Sequence, residues 1–188
     1  MKSGWLRRFG RLFVALAIAL PTLVVMAPDG SGFVCTCPPT LDLRGRIVFA
    51  AQGEVGFVEG PADNQNPYGP DVAWCAIFAR WTWNQAGTTS VFSTNVAESV
   101  YTWGKNHLRW KTSAPRPGDV IVWSSGSLND GTGGHVGVVE YVADGYIHSI
   151  DGNFNDGVRR RSFPNRVGYV YGSQTLRGFV APPGAPMT

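Results

Sequence analysis

Cys75 and His135 are the residues of this sequence whose types and surroundings best fit chemistry at a carbonyl group. Cys75 lies in the apolar stretch 72–81, which is typical of a helix, and His135 follows a glycine pair at the start of a predicted strand. A free thiol has a pKa near ~8.5 and is mostly protonated at neutral pH. A helix N-terminus favours the thiolate, and a nearby imidazole can accept its proton. The pair is therefore a candidate nucleophile and base, and a structural cysteine with an unrelated histidine is the alternative.

Helices are predicted in the first half of the chain. Apolar spacing predicts one helix over residues 43–55 and a second that contains Cys75. We expect Asp71 to cap the second helix, with Gly87 just past its end. Asn95 and Glu98 have the spacing of a capping box, which predicts a shorter helix that ends near Gly104.

Strands are predicted after residue 118, where the apolar period changes to two. The predicted strands are 119–123, 135–142, 146–153, 157–163, 167–171 and 177–180. Helices that precede an antiparallel sheet define an α+β domain.

The hairpin around Asp144-Gly145 determines which residues could orient His135. With a three-residue turn at 143–145, His135 lies opposite Asn153, and Asp151 is its diagonal neighbour on the same face. We expect this register, which makes Asp151 and Asn153 the candidates for holding the imidazole.

A two-residue turn would instead put His148 on the face of His135. The two side chains would then be about 20 Å apart along the strand, so His148 is a poor third member in either register. Gly137 shares the face of His135, and its missing side chain is expected to leave room for the helix that carries Cys75.

Four segments in this order resemble the CHAP domain, the cysteine, histidine-dependent amidohydrolase/peptidase family. They are Trp74 to Trp81, Pro117 to Trp123, Gly134 to Val139, and Ile150 to Asn153. The resemblance covers about residues 43–181. It implies a papain-like fold with N-terminal helices packed on an antiparallel sheet, and an enzyme that cleaves bacterial peptidoglycan.

The resemblance also implies roles for individual residues. Cys75 would be the nucleophile and His135 the general base, with Asp151 and Asn153 where the family usually has Glu-x-Asn. The aspartate is a departure, because it shortens the reach of the carboxylate by one methylene. The related NlpC-type peptidases use a polar residue nearer to His148, which keeps that residue as an outside candidate.

Residues 1–27 are interpreted as a signal peptide or a membrane anchor. A basic start precedes the apolar stretch 12–26, which suits a secretory segment better than a bilayer span. Removing it leaves 12 basic and 13 acidic residues, so the composition does not favour nucleic acid as a partner. We expect a secreted or cell-envelope monomer with a linker at 28–42, a catalytic domain at 43–181 and a Pro-rich tail at 182–188.

Cys75 is the odd thiol among three cysteines. In an oxidising compartment Cys35 and Cys37 could pair with each other or with another chain, although a one-residue spacing strains a disulfide. One cysteine left over is the pattern expected when a thiol is kept for chemistry.

Several other polar residues are weaker candidates for the site. Tyr68 could add a hydroxyl to the site, but packing within its loop is the favoured interpretation. The run 159–161, three arginines, is expected to be a solvated strand edge rather than an anion site. Asp63, Asn64 and Asn66 lack the full spacing of a calcium loop, and no second Cys or His lies at a zinc-ligand spacing, so no metal or cofactor is expected.

Two classes of function remain at this stage. The first is a cysteine amidase or endopeptidase that acts on peptidoglycan peptides, and the second is a catalytically degenerate module that only binds the cell wall on the same fold. Cys75 and His135 favour the enzyme, since a binding module gains nothing from such a pair. The bond that is cleaved is left open by the sequence.

Overall fold

The computed structural model describes residue 38, residues 40–128 and residues 133–187. Within them, three helices and a seven-stranded antiparallel sheet form an α+β domain, as predicted. The helices are α1 (Leu43–Gly53), α2 (Cys75–Gln85) and α3 (Ala97–Asn106). The strands are β1 (Trp110–Lys111), β2 (Val120–Ser124), β3 (Gly134–Ala143), β4 (Tyr146–Asp151), β5 (Arg159–Pro164), β6 (Val170–Tyr171) and β7 (Gln174–Val180).

The N-terminal predictions lie outside the described residues. This applies to the interpretation of residues 1–27 and to Cys35 and Cys37. In the part of the chain that the structure describes, none of the helices combines the length and apolar character that a membrane crossing requires.

The strands follow the order β1-β7-β2-β3-β4-β5. Strand β1 pairs with the end of β7, and β6 pairs with its start. Every neighbouring pair is antiparallel. The start of β3 therefore lies beside the end of β4, at one end of the sheet. This places His135 and Asp151, which are 16 positions apart in sequence, in the same part of the fold.

Both faces of the central strands are buried. On one face, alternate valines of β2 and β3 pack against α2 and α3 in a core that includes Ala76, Ala79 and Trp83. On the other face, Ile121, Trp123 and further side chains from the strands form a second core. Strand β2 is buried at all five positions, which explains the apolar run of its first four residues.

The predicted helix starts are only partly correct. Asp42 caps α1, and its Oδ1 accepts a hydrogen bond from the N–H of Gly45 at 2.7 Å. The predicted capping by Asp71 is wrong, because α2 begins at Cys75 and the N-cap is Trp74, without a side-chain cap. The amide of Asn66 bonds the backbone of residues 68–70, so the loop has its own turn before the helix begins.

The capping box at Asn95 and Glu98 is also wrong. The N-cap of α3 is Val96, whose N–H bonds the hydroxyl of Thr94, and Glu98 is buried in the first turn. The helix continues two residues past Gly104. The end of α2 is as predicted, since Gly87 follows the C-cap with φ +80° and donates to the carbonyl of Asn84.

Candidate active site

The first helical residue of α2 is Cys75, and its side chain is buried. The preceding residue, Trp74, is fully buried, and its indole N–H donates to Glu59 at 3.1 Å. Packing of this indole fixes the start of the helix where the side chain of Asp71 does not. The thiol therefore lies at the N-terminal end of the helix dipole, as the sequence predicted.

The helix approaches the sheet closely at Gly152. A Cβ on this glycine would lie 2.6 Å from Cγ of Phe78, one turn along α2 from the cysteine. The predicted role of Gly137 is wrong, because its missing side chain does not make room for the helix. A Cβ there would lie 2.5 Å from the carboxyl carbon of Asp151, so Gly137 leaves space for the carboxylate.

His135 and Asp151 form a buried hydrogen-bonded pair. His135 Nε2 lies 2.8 Å from Oδ2 of Asp151, and the carboxylate is fully buried. The imidazole is also hydrogen-bonded to the side chain of Cys75. Because Nε2 faces the carboxylate, Nδ1 is the nitrogen left for the thiol. The structure thus brings Cys75, His135 and Asp151 into one chain of contacts.

The register of the β3–β4 hairpin explains how Asp151 reaches this face. The predicted three-residue turn is wrong: Ala143 pairs with Tyr146 across a two-residue turn. A bulge at Glu140 then shifts the pairing, so that Val139 lies opposite Ser149. The predicted register therefore applies only beyond the bulge. Without this shift, Asp151 would point to the face opposite His135.

The electrostatics of the site favour a thiolate–imidazolium pair. Burial alone would raise the pKa of the Cys75 thiol. The hydrogen bond and charge of His135, with backbone bonds from Val136 and Ala76, outweigh burial and lower this pKa below its usual range. Burial opposes protonation of His135, but hydrogen bonds with Asp151 and Cys75 raise its pKa to about 9.

The pKa of the Asp151 carboxyl is lowered despite its burial. Its hydrogen bond and charge interaction with His135 make the largest opposing contribution, followed by the charge of Arg161 and the hydroxyl of Ser149. The carboxylate is therefore ionised, as a group that stabilises an imidazolium must be.

Asn153 lines the site but does not take the position of the orienting residue. It follows β4 with φ +55°, and its Nδ2 donates to Oδ1 of Asn64 at 3.3 Å. Of the two candidates that the sequence left open, Asp151 is the one bonded to the imidazole. Asn153 contributes its side chain to the wall of the cleft instead.

The thiol and the imidazole lie in a cleft of about 420 Å³. Its far wall is formed by Phe154, by Tyr171 at the end of β6, and by residues 172–174 of the β6–β7 turn. Tyr171 is half-exposed, so a molecule that reaches Cys75 passes an aromatic surface.

Ser149 and Arg161 are site residues that the sequence pattern did not indicate. The Ser149 hydroxyl donates to Oδ1 of Asp151 at 2.5 Å, and Arg161 Nη1 donates to Oδ2 at 2.9 Å. The expectation of a solvated edge is wrong for Arg161, whose side chain is only 7% exposed. The available signal was Phe163, since strand alternation puts residue 161 on the same face as that apolar ring.

The outside candidates lie elsewhere. His148 stacks on Tyr141 at a centroid distance of 4.1 Å, near the turn of the hairpin. Tyr68 packs against four aromatic rings, three of them edge-on, and donates its hydroxyl hydrogen to Glu54 at 2.9 Å, so the packing interpretation is confirmed. Among the residues that the structure describes, no three His, Cys, Asp or Glu side chains are grouped as metal ligands would be.

The described residues form an α+β domain that places a cysteine and a histidine in one cleft. Residues 66–153 match the family model of the CHAP domain, from the loop before α2 to the turn after β4. This segment is therefore similar to the CHAP domain family. No curated protein matches the sequence.

This chain is similar to three solved structures of two proteins. Ly7917 is 18% identical with a TM-score of 0.48, over 74% of this chain and 62% of that one. Ly7917 was also solved with the hydrolysing product of MDP, at 19% identity and a TM-score of 0.47. The N-acetylmuramoyl-L-alanine amidase from Staphylococcus aureus is 19% identical with a TM-score of 0.39, over 63% of this chain and 36% of that one.

Proposed function

We propose that this protein is a cysteine hydrolase that cleaves amide bonds in the peptides of bacterial peptidoglycan. The observation that carries the proposal is the hydrogen-bonded series from Cys75 through His135 to Asp151 at the cleft. The CHAP match over residues 66–153 supports the choice of substrate class.

In the proposed reaction, the Cys75 thiolate attacks the carbonyl carbon of the amide. The tetrahedral intermediate collapses when the carbon–nitrogen bond breaks, and the His135 imidazolium gives its proton to the leaving amine. A water molecule then attacks the thioester while His135 takes its proton. The acid product leaves, and the thiolate–imidazolium pair is restored.

Asp151 has the role of orienting the imidazole and stabilising its charge. The carboxylate accepts the hydrogen bond of Nε2, which leaves Nδ1 directed to the thiol. A developing oxyanion would be stabilised by the backbone N–H of Cys75, because the first N–H groups of a helix have no partner within the helix.

We further propose that residues 43–181 form the catalytic domain and that residues 1–27 direct export to the cell envelope. A fusion of residues 1–42 to a reporter that is active only outside the cytoplasm is expected to give signal. A reporter that stays in the cytoplasm would contradict this assignment. Whether the reporter is released or stays in the membrane separates a signal peptide from an anchor.

The decisive test of the enzyme proposal is Cys75→Ser in the full chain. The hydroxyl keeps the shape of the thiol but is not ionised, so release of wall fragments should fall by at least about 1000-fold, to background. Cys35→Ser is the matched control and should retain activity. Substantial hydrolysis by folded Cys75→Ser would overturn the proposal.

Mass spectrometry of the released muropeptides would identify the cleaved bond. The candidates are the N-acetylmuramoyl-L-alanine amide, a stem-peptide bond and a cross-bridge bond. A wild-type protein that sediments with purified wall but releases no fragment would support the binding module instead.

A further inference from the structure

Arg161 is a buried cation beside the site for which the proposed reaction has no role. Within the described residues, the carboxylate of Asp151 accepts hydrogen bonds from three side chains. His135 and Arg161 share Oδ2, at 2.8 and 2.9 Å, and Ser149 bonds Oδ1 at 2.5 Å. Both oxygens are therefore held while one of them faces the imidazole.

The position of Arg161 is fixed by the sheet. Arg161 pairs with Ser149 across the β4–β5 ladder, so the two donors that hold Asp151 lie opposite each other. The neighbouring arginine differs, since the side chain of Arg160 is 53% exposed and bonds Glu140. Because side chains alternate along a strand, the guanidinium of Arg161 is buried and that of Arg160 is half-exposed.

Aromatic rings hold the guanidinium of Arg161. Its Cζ lies 4.3 Å from the ring centroid of Phe154 and 4.8 Å from that of Tyr171, the two aromatic residues of the cleft wall. Trp123 and Phe163 lie 5.2 and 5.6 Å away on the core side. A planar guanidinium stacks on such rings, and a lysine ammonium does not reproduce that geometry.

A buried ion pair is weak evidence for stability, because desolvation offsets much of the attraction. An aspartate also reaches one methylene less far than the glutamate usual in the CHAP family. A carboxylate with a short side chain needs its rotamer fixed if it is to stay within hydrogen-bond distance of the imidazole. Arg161 provides that restraint at Oδ2 and Ser149 at Oδ1.

We propose that Arg161 is a positioning residue of the active site. Its guanidinium fixes the carboxylate of Asp151 against Nε2 of His135 and shares the negative charge, so that Asp151 orients the imidazole and stays ionised. This inference rests on the proposed function, because it assumes that the Cys75–His135 pair is the reactive one.

The test compares Arg161→Gln and Arg161→Lys with the matched control Arg160→Gln, all in the full chain. The first readout is the rate of alkylation of Cys75 by iodoacetamide as a function of pH, measured on the Cys75 peptide by mass spectrometry. This readout needs no wall substrate. The second readout is kcat and KM for wall hydrolysis at equal folded fraction.

For Arg161→Gln, we expect the acid side of the alkylation profile to move up by roughly one pH unit. The groups that face Asp151 are His135 on β3 and Arg161 on β5. Loss of the arginine charge lets the carboxylate protonate at higher pH, and the imidazolium that stabilises the thiolate is lost with it. We also expect kcat to fall about 10-fold with little change in KM, and Arg160→Gln to behave as wild type.

Arg161→Lys keeps the positive charge but loses the planar guanidinium that stacks on the aromatic rings. The alkylation profile should stay near that of wild type, and kcat should fall about 3-fold. A wild-type profile and kcat in folded Arg161→Gln would overturn the inference. If Arg161→Gln does not fold, a wild-type kcat in Arg161→Lys overturns it alone. A wild-type protein whose Cys75 reacts no faster than a free thiol would instead contradict the proposed function.

Discussion

The β3–β4 hairpin and its neighbour β5 hold two clusters made of the same residue types, one at each end. Each cluster has a histidine, an acid and an arginine: His135, Asp151 and Arg161 at the site end, and His148, Glu140 and Arg160 near the turn. At the site end the arginine side chain is 7% exposed, and near the turn it is 53% exposed. The same residue types thus form a buried relay at one end and, at the other, a cluster in which the acid is buried but the arginine is half-exposed.

The difference shows that a histidine with partners on both sides, more than residue type, defines the candidate site. His135 has the carboxylate on one side and the thiol on the other, and its pKa is raised to about 9. His148 lies against the ring of Tyr141, which is itself 46% exposed. The bulge at Glu140 separates the two ends, because the pairing register changes there.

The largest expected effect distinguishes the two histidine environments directly. Asp151→Asn keeps the volume of the side chain but removes the charge and allows the wrong tautomer of His135. We expect kcat to fall by about 100- to 10,000-fold, whereas His148→Ala should stay within about 2-fold of wild type. The kcat of Asn153→Ala should lie between those of the other two variants, since the amide of Asn153 bonds Asn64 at the cleft wall.

These variants are to be compared at equal folded fraction. If His148→Ala is the most damaged, the NlpC-type arrangement is right and the assignment of Asp151 is wrong.

A glycine substitution tests whether the position of the carboxylate matters as well as its charge. In Gly137→Ala, the new Cβ would occupy the space of the Asp151 carboxylate and push it from the imidazole. We expect kcat to fall about 10- to 100-fold, because displacing an active-site group by ~1 Å lowers the rate by a similar factor in other enzymes. Gly53→Ala is the control, because nothing lies within 4 Å of its Cβ and alanine suits the helix end. Equal activities of the two folded variants would contradict the role given to Gly137.

The pH dependence of kcat/KM follows from the shifted pKa values of the site. The lowered pKa of Cys75 keeps the thiolate present well below the usual thiol range, so activity should persist into mildly acidic solution. Activity should be lost on the alkaline side near pH 9, where His135 loses the proton that the leaving amine needs. In Asp151→Asn the alkaline limit should move to lower pH, because Asp151 raises the pKa of His135. An unchanged alkaline limit would show that another group sets it.

The sequence predicted the parts of the site that depend on regular periods. Cys75 at a helix start and His135 at a strand start follow from apolar spacing, and Asp151 follows from counting across the hairpin. The bulge at Glu140 has no signal in the sequence, so the three-residue turn was predicted in its place. The turn is one residue shorter than predicted, and the bulge adds one residue to β3. The two differences cancel, so Asp151 lies on the predicted face.

The parts that could not be predicted depend on tertiary packing. Alternation along β5 indicates that neighbouring arginines point to opposite faces, but only the pairing with β4 shows which of them meets Asp151. The start of α2 was misplaced because Trp74 is fixed by Glu59, a contact across 15 positions. Strand β1 was missed because two residues are too short to show a period.

The smallest expected effect concerns the cluster of Glu140, Arg160 and His148 near the turn. In Glu140→Gln, the side chain loses the charge that accepts bonds from Arg160 at 2.9 Å and from Gln52 at 2.8 Å. Because Arg160 is half-exposed, we expect the free energy of unfolding to fall by only about 0.2–1 kcal/mol, with kcat within about 2-fold of wild type.

The sign of the pH effect provides a second check on Glu140→Gln. Burial opposes ionisation of Glu140, but its bonds with Arg160 and Gln52 lower the carboxyl pKa in the folded state. The stabilisation is therefore present above the ordinary pKa of a glutamate and is lost as the pH falls through the lowered value. The free energies of unfolding of wild type and variant, measured by urea denaturation, should differ at pH 7 and converge at about pH 3. A kcat as low as that of Asp151→Asn would mean that Glu140 sets the bulge and, through it, the face of Asp151, so the two ends of the hairpin would not be independent.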